Sequence, residues 1–528
     1  LHCHAALIRL TAPFDRLYFR SFPFPHKVFD MTQQSPNAEG SQRFSLGDPL
    51  VLTLSIGFIV AFLGLSFYDV SLVADSISAG FAWTALVLGS YFQLLLLMTF
   101  FIAIGLAMTP AGKAKIGNLD APEMSTFKWL SIILCTLLAG GGVFFAAGEP
   151  VYHFVVTPPA FDSEAGTAEA VSGALGQSFM HWGFMKGQPL QPRTLLYPIL
   201  GERLMRGPLG GLVDACCVIA LVAGTVGPIG FLATQVSFGL HELFGLPEGY
   251  TGQLIILGVL AGIYVLSSMS GVHKGIQLLS RFNVLLALAI GAVIIVFGPT
   301  LFLVNSYVSG MGAYISEFFT MATMTAETAP AWWMQWWTVF FFAWFIGYAP
   351  VMAIFVARIS RGRSIREMIV AVAVLAPIAT TVWFTLLGGS GIYYQLNGVI
   401  DLTEALNNFQ FDVATLTVAQ ALPGGTWMAL AILLLTTIFV ATTGDSMSYA
   451  IAVVGAGHDD PSPVMRAFWG IAMALMAAVL LYMGAGQISA LQQFIVITAI
   501  PVSLILLPSL WNGPQAAYAM AREQGIIE

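Results

Sequence analysis

Charge is what this sequence has least of. Only 9% of its 528 residues are Asp, Glu, Lys or Arg, against roughly 25% in an average soluble domain, and so sparse a set cannot clothe a water-soluble surface of this size. Cysteine is scarce as well: Cys3, Cys135, Cys216 and Cys217 have no metal-like spacing, which speaks against both a disulfide framework and a metal site. No zinc, Walker or nucleotide-binding signature occurs, so an ATP-driven machine is not expected. With a net charge of -7 and no basic domain, the chain offers no surface for nucleic acid. Its intramembrane ionisable residues, Asp214, Asp445 and His181, lack any recurrent partner spacing, and an embedded enzyme is unsupported.

What the sequence does have is apolar length. Hydrophobic residues make up 57%, and stretches of roughly 20 apolar residues, enough for a helix to cross a ~30 Å hydrocarbon core, recur about a dozen times. They run approximately over 49–68, 82–108, 128–148, 170–185, 212–238, 253–269, 282–304, 336–357, 368–388, 426–452, 465–484 and 488–510. The pattern predicts an all-α integral membrane protein of twelve transmembrane helices. A leader, 1–48, precedes them; it lacks a secretory h-region, and Met31 is the expected natural start. The membrane-embedded body is 49–510, and 511–528 forms a short cytoplasmic tail.

Lys and Arg mark cytoplasmic loops. All 20 fall in the leader, after even-numbered spans or at the carboxyl end, while Asp and Glu collect in the alternate loops. Both termini are therefore expected in the cytoplasm, with the chain multi-pass in the cell inner (plasma) membrane. This pattern needs the run at 170–185 to cross, yet its 16 residues cover only roughly 24 Å at about 1.5 Å each. The fourth helix reads as truncated.

Helix-interrupting residues fall at a repeated offset of five spans. Ala139-Gly140-Gly141-Gly142 in the third span matches Gly347 and Pro350 in the eighth, and Gly224 to Gly230 in the fifth matches Thr442-Thr443-Gly444-Asp445 in the tenth. Broken helices at equivalent places mark inverted-repeat transporters. Two five-helix inverted repeats are expected, about 128–304 and 336–510, preceded by two extra helices; Gly and Pro also serve ordinary helix packing. Glu149-Pro150 most simply ends the third span at the outer surface.

Aromatic residues crowd the eighth span. Trp332 to Trp337 suit an outer interfacial belt, whereas Trp344, Phe345 and Tyr348 lie deeper, beside Gly347 and Pro350. Indole faces attract quaternary ammonium groups, which donate no hydrogen bonds; packing against lipid or core is the competing role for each ring.

Several stretches then resemble the betaine/choline/carnitine transporter (BCCT) family, from about residue 45 to 510: IGNLDAPEMSTFKW at Ile116–Trp129, GEPVYHF at Gly148–Phe154, FMHWG at Phe179–Gly183, LYPILGER at Leu196–Arg203, ARISRGRSIRE at Ala357–Glu367 and TTGDSMS at Thr442–Ser448. The resemblance implies the twelve-helix repeat architecture, usually a homotrimer in the lipid bilayer, and an aromatic box for a small zwitterionic or cationic substrate. Carried over, Trp182 takes the first box position, with Trp344, Phe345 and Tyr348 on the eighth span and Gly140 and Gly141 as the glycine approach of the third. Thr442 and Thr443, facing carbonyls near Cys135 and Leu138, correspond to a sodium site; no other metal or cofactor is implied.

Two departures qualify the match. The family's Gly-x-Gly-x-Gly reads Leu137-Leu138-Ala139-Gly140-Gly141, and Phe184-Met185 leads straight into Lys186-Gly187-Gln188-Pro189-Leu190, where relatives continue the fourth helix. The function implied is ion-coupled secondary transport of a quaternary-ammonium or sulfonium compatible solute or precursor, of the betaine, choline, carnitine or dimethylsulfoniopropionate type. The alternative is a truncated or transport-incompetent member of the same family.

Overall fold

The structure, a computed structural model, describes residues 48–119, 121–184, 207–247, 249–270, 275–456 and 461–528. Within them every regular element is helical; one isolated bridge pairs Lys115 with Ser364. The principal helices are α1 (Pro49–Tyr68), α2 (Val70–Met108), α3 (Thr126–Val155), α4 (Ala170–Phe184), α5 (Pro208–Phe244), α6 (Tyr250–Ser270), α7 (Gly275–Phe297) and α8 (Thr300–Ser316). They continue as α9 (residues 331–359), α10 (Ile365–Leu396), α11 (Phe411–Ala421), α12 (Thr426–Ala456), α13 (Pro463–Met483), α14 (Ser489–Leu506) and α15 (Ser509–Glu523). Among the described residues nine helices are long and apolar enough to cross a membrane, or ten if Arg281–Phe297 and Thr300–Ser316, bent by 110°, count as one broken span.

Burial sorts these helices into layers. In the apolar window of α5, 89% of residues are buried within the protein, but only 28% in α1 and in α2. Small residues explain the inner position of α5, since Gly lets neighbours approach closely in lipid, where apolar area alone drives no association. A Cβ added at Gly227 or Gly230 would lie 2.5 Å from Ile495 or Leu491 of α14, and one at Gly239 would lie 2.8 Å from Leu433 of α12. The 39-residue α2, about 58 Å long at 1.5 Å per residue, exceeds the core thickness, so part of it lies beyond the hydrocarbon or it tilts.

The expected breaks are not where the punctuation placed them. Helix α3 runs unbroken through Gly140 to Gly142 and past Pro150 to Val155, so Glu149-Pro150 does not end it. Likewise α5 passes through Pro228 and α12 through Thr442 to Asp445. Proline is tolerated inside transmembrane helices because neighbours satisfy the freed backbone groups. The irregularity of α9 sits earlier than Gly347, as a wide turn over Met334–Val339, and α10 carries two more, Ala371–Leu375 and Thr385–Gly389. Such widened turns arise from an inserted residue in the ladder, which Gly and Pro positions do not signal.

The ARISRGRSIRE loop is a structural clamp. Arg363 stacks 4.2 Å over the Trp129 ring and donates to the Met124 carbonyl, while the Trp129 indole donates to Ser360 at 3.0 Å. Arg366 donates to the carbonyls of Ala107 and Thr109, and Ser364 with Glu367 forms a capping box at the start of α10. These bonds tie the segment ahead of α3 to the turn between α9 and α10.

Candidate functional site

Trp344, Phe345 and Tyr348 are spaced i, i+1 and i+4 on α9, which puts Trp344 and Tyr348 on one face. Trp344 is buried; its indole N–H donates to the Gly224 carbonyl of α5 at 3.0 Å. Phe340 and Phe345 stack against it with centroids 5.4 and 6.0 Å away, and Phe231 of α5 meets it edge-on at 5.7 Å. Here glycine is required, because a Cβ on Gly224 would lie 2.9 Å from the Tyr348 ring. Phe345 and Tyr348 are only partly buried, so their rings, more than that of Trp344, retain free surface.

Rings continue beyond this group. Phe341 lies 6.2 Å from Trp344, Trp337 stacks on Phe341 at 6.0 Å, and Trp333 follows at 6.0 Å. Phe145 and Tyr152 of α3 and Phe411 of α11 flank this column. Trp333 and Trp337 are 1% and 2% exposed, so they are not the interfacial belt that sequence suggested; Trp332, at 43%, keeps that character, and Trp336 is partly exposed. A mid-helix burial of this kind arises because α3 and α11 cover α9, a tertiary fact invisible to local pattern.

Two residues missed by sequence reading stand at the far end of the column. Glu149 and His153, one turn apart on α3, are wholly buried with Oε1 and Nε2 3.5 Å apart. The imidazole lies 4.5 Å from the Trp337 ring and 5.2 Å from that of Trp333. The signal was present in GEPVYHF, as an i,i+4 acid and imidazole, but the proline beside it suggested a helix end.

The proposed ion residues are arranged differently from expectation. Thr442 bonds back to the preceding turn, to the carbonyls of Ile438 and Phe439 at 3.0 and 3.1 Å. Thr443 Oγ1 is buried with no hydrogen-bond partner among the described residues. On the regular helix found here adjacent side chains diverge by roughly 100°, so the pair does not converge on one point as a distorted helix would allow. Two residues on, Asp445 accepts from Ser267 of α6 while its Oδ1 is likewise buried and unpartnered. Arg466 of α13 donates to Ser268, the neighbour of Ser267.

Helix α12 packs against α3, which carries Cys135, Leu138, Gly140 and Gly141; α3 is helical there, so its carbonyls are not unwound. The side-chain surroundings of Cys135, Leu138, Gly140, Gly141 and Trp182 lie outside the described residues. Trp182 is carried by α4, which packs chiefly on α3, α8 and α10.

The model of the betaine/carnitine/choline family transporters matches residues 50–522. The chain belongs to that family. It is 45% identical over 505 residues to glycine betaine transporter 2 of Vibrio parahaemolyticus serotype O3:K6, covering 92% of this chain and 93% of that protein. The glycine betaine transporter OpuD of Bacillus subtilis is 32% identical over 79% of the chain and 84% of its own length. An ectoine/hydroxyectoine transporter of Virgibacillus pantothenticus is 32% identical over 81% and 88%. The protein is therefore a membrane transporter and not an enzyme, and the sequence-level family reading holds.

Proposed function

We propose that the transporter takes up a betaine-type compatible solute, a quaternary-ammonium or related sulfonium compound, with the α9 rings as its recognition surface. The observation that carries this is the meeting of Trp344 and Tyr348 at Gly224, with Phe345 stacked on Trp344, an aromatic surface that makes no demand for hydrogen-bond donors on its ligand. The likeness to transporters named for glycine betaine supports the same class. Trp182, Gly140 and Gly141 complete the site in this reading. Sodium is the coupling ion: Thr443 Oγ1 and Asp445 Oδ1 are buried oxygens left over from the protein's own bonding, and Thr442 of α12 with Cys135 and Leu138 of α3, a helix that packs on α12, completes the set in this reading.

In this reading the site sits in a twelve-helix arrangement with two inverted repeats, both termini cytoplasmic, in a homotrimer in the cell membrane, as the family likeness suggests. The exposed apolar residues Leu301, Val304 and Val308 on α8 suit contact with lipid or with another copy.

Uptake of labelled glycine betaine, choline, carnitine and dimethylsulfoniopropionate into proteoliposomes tests the proposal, with sodium replaced by potassium at fixed pH. Saturable, sodium-dependent uptake of one of them is expected; failure of all four under every gradient overturns it. The second reading, a transport-incompetent chain, draws on the sequence, where the apolar run at 170–185 passes straight into Lys186-Gly187-Gln188-Pro189-Leu190. It predicts that extending α4 by a turn or more converts an inert protein to an active one.

A further inference from the structure

Gln235 of α5 is 4% exposed, and neither end of its amide, Oε1 or Nε2, has a hydrogen-bond partner among the described residues. A buried amide bare at both ends is costly, more so than apolar atoms of the same shape. A trapped water or a bound solute can offset that cost, and the place of Gln235 on its helix favours the solute.

At 100° per residue, Gly224, Phe231 and Gln235 fall within about 40° of one another around α5. Gly224 accepts from the Trp344 indole, and the Phe231 ring meets that of Trp344 at 5.7 Å and that of Phe144 of α3 at 5.3 Å. Gln235 is one turn further along this face, about 6 Å on. Long side chains on a helix lean toward its amino terminus, over the preceding turn, and here that turn carries Phe231. The bare amide thus borders the ring group on the side away from Gly224.

We propose that Gln235 is a specificity-determining residue, whose amide N–H donates to the carboxylate of a zwitterionic solute while the ammonium end of that solute rests on the rings about Trp344. This deepens the function proposed above and rests on its ring site. In glycine betaine a single methylene separates the two charges, so neighbouring groups of opposite character have to meet them. Rings serve the ammonium group and offer nothing to the carboxylate. A Lys or Arg would attract the carboxylate and repel the ammonium beside it, and neither α5 nor α12 carries one. A neutral amide gives the donor without the repulsion. Bonds to charged groups are roughly twice as strong as neutral ones, so the same amide favours a carboxylate over the hydroxyl of a choline-like solute.

The test measures the concentration of glycine betaine, choline or tetramethylammonium that protects the purified full chain from thermal unfolding in detergent, which reports binding to the folded state. Gln235→Met keeps an unbranched side chain of similar length and removes the amide. It should weaken glycine betaine about tenfold or more, the loss of one bond to a charged group, and leave tetramethylammonium, which has no polar end, within about twofold. Choline should fall between. Because no described residue bonds to the amide, the melting temperature without ligand should hold or rise.

An unchanged glycine betaine affinity, or equal losses for all three ligands, overturns the inference. Equal losses with a lower ligand-free melting temperature would assign the amide to a trapped water or to packing. Should Gln235→Met not fold, Gln235→Asn decides by the same selective loss, since it withdraws the amide by one methylene. Trp344→Ala separates this inference from the reading beneath it, because all three ligands carry the ammonium group and all should weaken. If Trp344→Ala changes none of them while Gln235→Met still weakens glycine betaine alone, the ring site falls and the Gln235 contact stands. If Trp344→Ala weakens all three and Gln235→Met none, the ring site stands and the Gln235 contact falls.

Discussion

The two ends of the proposed transport site are built on opposite principles. Around Trp344 the protein has satisfied itself: the indole N–H has Gly224, and the rings of Phe340, Phe345 and Phe231 cover it. Around Thr443 and Asp445 it has not, and two oxygens are buried without partners among the described residues. Buried polar atoms left unpaired cost about 1–3 kcal/mol each, and a bound ion is one of the things that can offset that cost. On the proposed function the contrast matches the two cargoes. A quaternary ammonium group wants shape and π faces, and a dehydrated cation wants oxygens.

The sharpest way to break that contrast is a wedge on the oxygen side. A Cβ at Gly444 would lie 2.5 Å from Cγ of Tyr264, whose ring is buried and whose hydroxyl is held by the Gly470 carbonyl at 2.8 Å. The ring has no room to yield, and overpacking costs roughly 1–3 kcal/mol or more. Gly444→Val should reduce uptake more than about a hundredfold through combined loss of folded protein and of the ion site, read by transport and thermal melting. Gly57→Val, where nothing lies within 4 Å, should be silent. Toleration of the first would mean that α12 has slack that the structure denies.

On the ring side, Trp344→Ala removes a desolvated indole worth about 2 kcal/mol to a bound cation, hence about thirtyfold in apparent KM. Trp344→Phe should recover part of this, since it keeps a ring but loses the bond to Gly224. Equal KM for wild type and the alanine variant would assign Trp344 to packing alone.

How much of this was legible beforehand follows the range of the interactions. Helix existence rests on apolar runs, which are local, and the run expected at 170–185 carries α4, Ala170–Phe184, which reaches the edge of the described residues. Trp344 and Tyr348 were visible as deep aromatics. What could not be read was whatever depends on a second helix: the seat of Trp344 on Gly224, 120 residues away, the burial of Trp333 and Trp337 beneath α3 and α11, and the link from Ser267 to Asp445. Punctuation by Gly and Pro misled for the same reason. In water such residues end helices; inside a membrane bundle the neighbours supply the missing partners and the helix continues.

The hydroxyl pair offers a finer comparison within the oxygen side. Thr442 already spends its hydroxyl on the preceding turn, as membrane helices commonly allow, whereas Thr443 has its oxygen to give. If sodium binds here, Thr443→Val should raise the sodium concentration for half-maximal uptake about tenfold, the loss of a bond of about 1.4 kcal/mol to a charged group. Thr442→Val should change it less than about threefold. Equal, large effects would show that both hydroxyls turn to the ion and that α12 distorts during the cycle.

The smallest effect separates neighbours in sequence. Trp332 is 43% exposed and Trp333 1%, although composition alone gives both the same interfacial role. An indole at an interface is anchored loosely and surrenders little when truncated, so Trp332→Ala should alter KM and melting by amounts near the error of measurement, less than about twofold in uptake. Trp333 instead fills space between His153 and Trp337, with ring centroids 5.2 and 6.0 Å away. Truncating a fully buried Trp leaves a cavity worth roughly 3–5 kcal/mol, so Trp333→Ala should lower the melting temperature clearly even where uptake by the surviving protein persists. The measurement is thermal unfolding of both variants in the same detergent, and matched melting curves would return Trp333 to the surface belt.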